Sequence, residues 1–291
     1  MTAWPWHAGE LEAQARAGVR SHGGAIRDQM PDQHRIFFQQ LPFVVVASRD
    51  TDGFPVATVW TGAPGFVTSP DPRTLRLAVA LDPADPTSAA FVAGAPFALL
   101  GIEPSTRRRN RANGVIAAGA PDGITVAVRQ SFGNCPQYIH PRDLHAIAAT
   151  PGAPVALDHL DAVASAAIRR ADTFFVATAA RVDEPTGGVD ISHRGGPAGF
   201  VQLDGDTLTI PDYRGNRYFN TLGNLVSSPR AALVFADFAT GDVLHIQGAT
   251  EIQWDGPAVA ALPGAERLWR VRVERAWRRP GALALRTGAA T

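Results

Sequence analysis

The segment Asp212–Tyr213–Arg214–Gly215–Asn216–Arg217–Tyr218–Phe219–Asn220–Thr221–Leu222–Gly223–Asn224 carries the residue types that hold an oxyanion. It falls between a predicted strand at 207–211 and a predicted short helix at 219–227. Fixed Arg charges, Asn amides and the free N–H groups of a helix N-terminus are what a phosphate oxygen takes up. A polar surface turn has much the same composition, because Asn and Gly are common in turns. The chain supplies its own comparison. The stretch Val79–Phe91, which holds the same place in a repeated pattern, contains neither Arg nor Asn. A turn with only a structural task has no reason to be polar in one copy alone, so Asp212, Arg214, Asn216, Arg217 and Asn220 are candidate anion ligands.

Three further stretches qualify. Asp190–Ile191–Ser192–His193–Arg194–Gly195–Gly196–Pro197 sets two glycines beside His and Arg, which permits close backbone approach to a flat ligand. Its counterpart Thr58–Val59–Trp60–Thr61–Gly62–Ala63–Pro64 is less polar. His193 and Arg194 are read as contacts, not as bases. Thr106–Arg107–Arg108–Arg109–Asn110–Arg111 is the densest charge run, and such runs are usually solvated faces. In a paired arrangement it would instead reach the partner's site through Arg109. Ser131–Phe132–Gly133–Asn134–Cys135–Pro136–Gln137–Tyr138–Ile139 offers Asn134 and Gln137 as contacts, with Cys135 read as a small buried hydrophobe.

Other chemistry is excluded or unsupported. Gly-rich dinucleotide and Walker motifs, H-E-x-x-H and G-x-S-x-G are absent, and the His residues lack metal-ligand spacing. No metal site and no catalytic acid or base is nominated. The chain has no Lys, so Schiff-base chemistry is out and any anion must be held by Arg, backbone or hydroxyls. One cysteine excludes an internal disulfide and a Cys-only metal site. Net charge is zero across 291 residues, so nothing draws the chain to nucleic acid or anionic membrane. No secretory signal and no apolar run of about 20 residues is seen, which predicts a cytoplasmic protein without a membrane span.

The repeat organises the rest. Pro64–Gly65–Phe66–Val67 answers Pro197–Ala198–Gly199–Phe200–Val201, and Ala95–Pro96–Phe97–Ala98–Leu99–Leu100 answers Ser228–Pro229–Arg230–Ala231–Ala232–Leu233. Asn113–Gly114 answers Gln247–Gly248, and Val126–Phe132 answers Val271–Trp277. Short strands are predicted at 43–47, 55–60, 65–68, 74–80, 96–102, 113–118 and 123–132, spaced as in an antiparallel barrel. Helices are predicted near 8–20, 31–40, 87–92 and 160–170. Residues 140–158 show no sheet pattern and read as a link between a first unit, 1–150, and a second, 151–291. A short Gly/Ala-rich tail is expected to fray.

The runs at 131–139, 192–201 and 212–224, with Pro5–Trp6–His7 and Gly9–Glu10, resemble the pyridoxamine 5′-phosphate oxidase-like FMN-binding proteins, most closely their two-copy members. The resemblance implies a mainly β chain with short helices: two tandem six-stranded split β-barrels packed as a pseudo-dimer, with FMN at their interface. It sets Asn216–Arg217–Tyr218 at the family's phosphate-binding Ser-Arg-Lys step, with Arg214 standing in for the missing Lys. It sets an isoalloxazine-facing strand at Gly196–Val201, which adds Gly199, Phe200 and Val201 to the site, and Trp60 is a candidate to close the ring side. The family's pyridoxal-binding residues are not found. The expected function is FMN-dependent oxidoreduction of a small molecule, with a separate reductase as electron donor and the molecule acting as a pseudo-dimeric monomer or homodimer. FAD, deazaflavin F420 or haem are the alternative cofactors, and a non-catalytic flavin carrier or sensor is the alternative role.

Overall fold

The structure is a computed structural model that describes residues 5–120, 122–181, 183–184 and 187–288. Residues 1–4 and the end of the expected tail, 289–291, lie outside the described residues.

In chain order the first part holds helices α1 (Ala8–Arg16) and α2 (Asp32–Gln40), then strands β1 (Phe43–Arg49), β2 (Pro55–Thr61), β3 (Val67–Asp71), β4 (Thr74–Leu77), β5 (Pro96–Glu103), β6 (Arg108–Ala120) and β7 (Gly123–Gly133). Strands β8 (Leu144–Ala146) and β9 (Val155–Leu157) follow. The second part holds α3 (Ala162–Arg170), β10 (Thr173–Ala179), β11 (Val189–Gly195), β12 (Gln202–Asp204), β13 (Thr207–Tyr213), α4 (Asn220–Ser227), β14 (Arg230–Ala236), β15 (Val243–Gln253), α5 (Pro257–Ala260), β16 (Ala265–Arg279) and β17 (Leu285–Thr287). No helix among the described residues is long and apolar enough to cross a membrane.

The first sheet runs β2-β1-β5-β6-β7-β4-β3 and the second β11-β10-β14-β15-β16-β13-β12, every neighbour antiparallel. The two orders correspond strand for strand. Each also carries a bulge at the same place, Asn113/Gly114 against β7 and Gln247/Gly248 against β16. A glycine is required there, because a Cβ on Gly114 would stand 2.1 Å from the Ala127 carbonyl oxygen, and one on Gly248 would stand 2.3 Å from that of Arg272. The ladders pair Ala47 with Ala98 and Ala177 with Ala232, so Ala98 corresponds to Ala232. That moves the sequence alignment of β5 with β14 by one residue. Each path has seven strands where six were expected, and no ladder among the described residues joins its two ends.

Strands β1, β5, β10 and β14 are apolar at nearly every position because both their faces are covered. Val44 and Val46 face the first unit's own core, while Phe43, Val45 and Ala47 face the second unit. Phe174 and Val176 likewise face inward, and Phe175 and Ala177 face the first unit. A strand buried on one side shows alternation, and one buried on both shows a continuous apolar run. The sheets thus share a third core between them.

Residues 140–158 are not a bare link. Strand β8 pairs with β17, and β9 pairs with β16. Their two three-residue ladders are too short for a periodicity signal. The helix expected at 87–92 is a single 3₁₀ turn, Ser88–Ala90.

Candidate functional site

Between the sheets lies a cleft built of two adjoining hollows with empty volumes of about 450 and 570 Å³. Strand β11 supplies Ser192, His193 and Arg194, β13 supplies Asp212 and Tyr213, and β16 supplies Glu266 and Arg267. The start of α4 supplies Asn220, Thr221 and Leu222. From the other unit, β6 brings Arg109 and Arg111, and the segment after β7 brings Asn134 and Tyr138. The charge run is therefore only partly a solvated face. Arg107 and Arg108 are exposed, while Arg111 is 7% exposed and reaches across the interface.

The Arg111 guanidinium donates to Ser192 Oγ at 2.6 Å and lies 3.7 Å from Asp190. Arg109 donates to His193 Nδ1 at 2.8 Å. That bond leaves the ring proton on Nε2. Burial, then the Arg109 charge, holds the imidazole well below its ordinary pKa, so His193 is neutral. Burial, then the neighbouring guanidinium of Arg111, lowers Arg109 to about 9. Burial also lowers Arg111, to about 10, and lowers Arg194. Crowded cations out of water favour a bound anion for the same reason that they resist protonation.

Five guanidinium groups, Arg109, Arg111, Arg194, Arg217 and Arg267, line the cleft. Three carboxylates answer them: Asp190 on Arg111, Asp212 on Arg194 and Arg267, and Glu266 on Arg217 and Arg267. Two positive charges are left over, about the charge of a phosphate monoester at neutral pH. Buried Nε atoms of Arg109, Arg111 and Arg194 and Oδ1 of Asn134 have no hydrogen-bond partner among the described residues. Helix α4 adds free N–H groups at the same point, since its N-cap, Phe219, makes no side-chain capping bond.

The segment between β13 and α4 is held in a strained shape, with Arg217 at φ 59° and Phe219 at φ 63°. Packing imposes it. Tyr218 lies against Trp6 and Phe132, Arg267 covers Phe219 at 5.0 Å, and Asn216 Oδ1 accepts the Tyr218 N–H.

Of the residues expected from the sequence, His193, Arg194, Phe200, Asp212, Asn216, Arg217, Asn220, Arg109 and Asn134 come together around the cleft. Gly199, Val201 and Arg214 do not line it. Residues 196–201 form a turn between β11 and β12 where a strand was expected. Gly199 has φ 81° in that turn, and Val201 is core. Arg214 is exposed, and its contribution is a carbonyl that accepts from Tyr138 Oη. Arg217 is drawn to Glu266 at 3.5 Å. Trp60 is in the first unit's core, 4.7 Å from Phe91, and Gln137 is exposed and does not line the cleft. Cys135 is a half-buried free thiol, not a core residue.

Arg111, Ser192, Glu266 and Arg267 were not singled out. Arg267 sits on β16 some fifty residues beyond the 212–224 run, and only the β13–β16 ladder, which pairs it with Asp212, brings it there. The N-terminal motif also belongs here. Helix α1 crosses α4 at Gly9 and Gly223, where a Cβ on Gly9 would stand 2.2 Å from the Gly223 carbonyl oxygen. The crossing lets Glu10 Oε1 accept from Asn220 Nδ2 at 2.5 Å, while Oε2 accepts the His7 N–H in a capping box.

Burial, then the charge of Asp190, raises the Glu10 carboxyl from 4.5 to about 8. Between those values the folded state binds the proton that the unfolded chain has lost, so stability falls as pH rises through that window. Replacing Glu10 with Gln is expected to flatten this fall, read as the difference in urea midpoint between about pH 5 and about pH 9. An undiminished fall in Glu10→Gln would assign it to another group.

An antiparallel two-sheet β protein with an Arg-lined cleft at the sheet interface is the class that fold and site define. Residues 160–284 match the profile of the family described as Pyridoxamine 5′-phosphate oxidase. No curated protein matches it in sequence. Among solved structures it is similar to HupZ of Group A Streptococcus at 17% identity and TM-score 0.32, covering 43% of this chain and 94% of that one. It is also similar to a FAD-binding protein of Mesorhizobium loti at 12% and 0.29, covering 43% and 96%. A third is HutZ, the heme storage protein of Vibrio cholerae, at 11% and 0.28, covering 40% and 90%.

Proposed function

We propose that the chain is a fused pseudo-dimer of two split-barrel units that holds one FMN in the inter-sheet cleft and uses it to pass hydride or electrons to or from a small molecule. The observation that carries this reading is the surplus of two positive charges, on guanidinium groups brought from both units, beside the free N–H groups of α4, in a chain whose residues 160–284 match the profile described as Pyridoxamine 5′-phosphate oxidase. Arg111, Arg194, Ser192, Asn216, Thr221 and the first turn of α4 would take the phosphate. Tyr213, Phe200, Tyr138, Arg109, His193 and Asn134 would flank the ring. The flavin supplies the redox chemistry, and the protein binds, orients and shields it. His193, neutral and held through Nδ1 by Arg109, orients and is not assigned a proton transfer.

The visible spectrum of the purified protein tests the cofactor, since an oxidised flavin shows two bands and haem a Soret band. Consumption of NAD(P)H would then separate an enzyme from a carrier. One flavin per chain is expected, because the first unit's counterpart of the 212–224 segment offers no Arg and no Asn. Flavin released by heat and titrated against protein measures the ratio. A value near two per chain would overturn the single-site reading.

A further inference from the structure

The same strand order sets a second position between the units, equivalent to the cleft by its ladders, and its contents differ in kind. By the ladders, Thr58 on β2 holds the place of Ser192, since they pair with Val46 and Val176. His245 on β15 holds the place of Arg111, paired with Trp277 as Arg111 is paired with Phe132. Arg279, at the end of β16, holds the place of Asn134 and enters from the second unit, as Arg109 and Arg111 enter the cleft from the first.

At this position Arg279 meets carboxylates of the chain itself. Its Nη1 donates to Asp85 Oδ2 at 2.8 Å, and its Nη2 donates to Asp82. Asp85 is 5% exposed. Its Oδ2 also accepts from Thr58 Oγ1 at 3.0 Å, and its Oδ1 accepts the N–H of Thr87 at 2.9 Å and the Thr87 hydroxyl at 2.8 Å. A guanidinium, two hydroxyls and a backbone N–H around one carboxylate are the partner set of an oxyanion site. One donor is still free: Arg279 Nε is buried without a partner among the described residues, on a residue 7% exposed. His245 replaces a cation with a ring stacked on Trp277 at 4.9 Å, its Nδ1 bound to the Ala57 carbonyl.

We propose that the first unit carries a latent oxyanion site, closed in this chain by its own Asp85 and Asp82 in the position of a bound anion. The 79–91 segment has then not merely lost its ligands. It has acquired two acids that satisfy an Arg delivered from the other unit, and the ion pair ties the units together where a phosphate would otherwise lie. The ligand class is an inorganic oxyanion such as phosphate or sulfate.

The test uses the full chain with Asp82→Asn and Asp85→Asn together, and sulfate against chloride at equal ionic strength. In chloride the double variant is expected to melt below the parent, because Arg279 is left as a buried unpaired cation. Sulfate is expected to raise its midpoint saturably by about 3 °C more than it raises the parent's, the response of a site filled well above its dissociation constant. The flavin cleft is the same in both proteins, so the difference reports the Asp82–Asp85–Arg279 site alone and does not depend on the flavin reading. Adding Arg279→Met is expected to abolish the extra response. Equal responses in variant and parent, or a response that survives Arg279→Met, would overturn the proposal. If the double variant folds in sulfate and not in chloride, that supports it, and failure to fold in either salt counts against it.

Discussion

Residues 1–150 and 151–291, expressed apart, are expected to hold no FMN, and their equimolar mixture is expected to regain it. The cleft is made from both. Ser192, Arg194 and the start of α4 come from the second part, while Arg109, Arg111, Asn134 and Glu10 come from the first. Separation also uncovers the shared core, with Phe43, Val45, Leu100, Phe175, Ile191 and Val234 each at most 1% exposed in the intact chain. Exposing one such side chain costs about 1.5–3 kcal/mol, so a lone half loses far more than one missing ligand. It also splits the β8–β17 ladder. In the intact chain the link raises the effective concentration of one unit at the other to about the millimolar range, which the mixture must replace with added protein. Flavin titration and size-exclusion chromatography of the halves and the mixture give the answer. A monomeric 151–291 fragment with full affinity would refute an inter-unit site, and a dimeric one would mean that the second unit rebuilds the cleft against a copy of itself.

Arg111→Ala is expected to weaken FMN binding by about ten- to a hundredfold while leaving riboflavin binding nearly unchanged, the loss of one charge-assisted donor of roughly 1.5–3 kcal/mol. Arg111 is the stronger choice than Arg217, which the position in the sequence favoured. Arg217 is 38% exposed at its side chain and committed to Glu266, so Arg217→Ala removes a screened charge. Arg111 is buried beside Ser192 and Asn220, with its Nε unpartnered. Isothermal titration with both ligands measures the contrast. Equal losses for FMN and riboflavin would assign Arg111 to folding or to the ring, not to the phosphate. Arg111→Met keeps the packing of the stem over Phe132, which the guanidinium covers at 5.3 Å, and is expected to show the same contrast.

Much of this site was legible because its ligands cluster locally. Arg194 and His193 stand in one run, and Asp212, Asn216, Arg217 and Asn220 in another, and each run is short enough for its polarity to stand out against the blander counterpart in the first unit. Gly199, Val201 and Arg214 were misplaced for a local reason. Side chains next to a ligand in sequence can point to the core or to water, and the strand at 196–201 that the family resemblance implies is a turn in this chain. The role of Glu10 is not legible in its N-terminal motif, because its partner Asn220 lies 210 positions away.

The order of residues by itself determined most of the strands of the two sheets, the duplicated pattern and the polar asymmetry between its halves, since periodicity, turn residues and composition act over a few positions. Only the tertiary structure decided which of the arginines matter. Arg109 and Arg111 belong to the cleft while Arg107 and Arg108 of the same run do not, because alternation along β6 turns Arg109 and Arg111 toward the second unit and Arg108 away, and Arg107 lies in the turn before the strand. The same folding sets Arg279 on Asp85 and leaves Arg109, bonded to His193 and not to a carboxylate, facing the cleft. A charge is available to a ligand only when the folded chain supplies no carboxylate of its own to satisfy it, and that balance is struck across an interface between residues far apart in sequence.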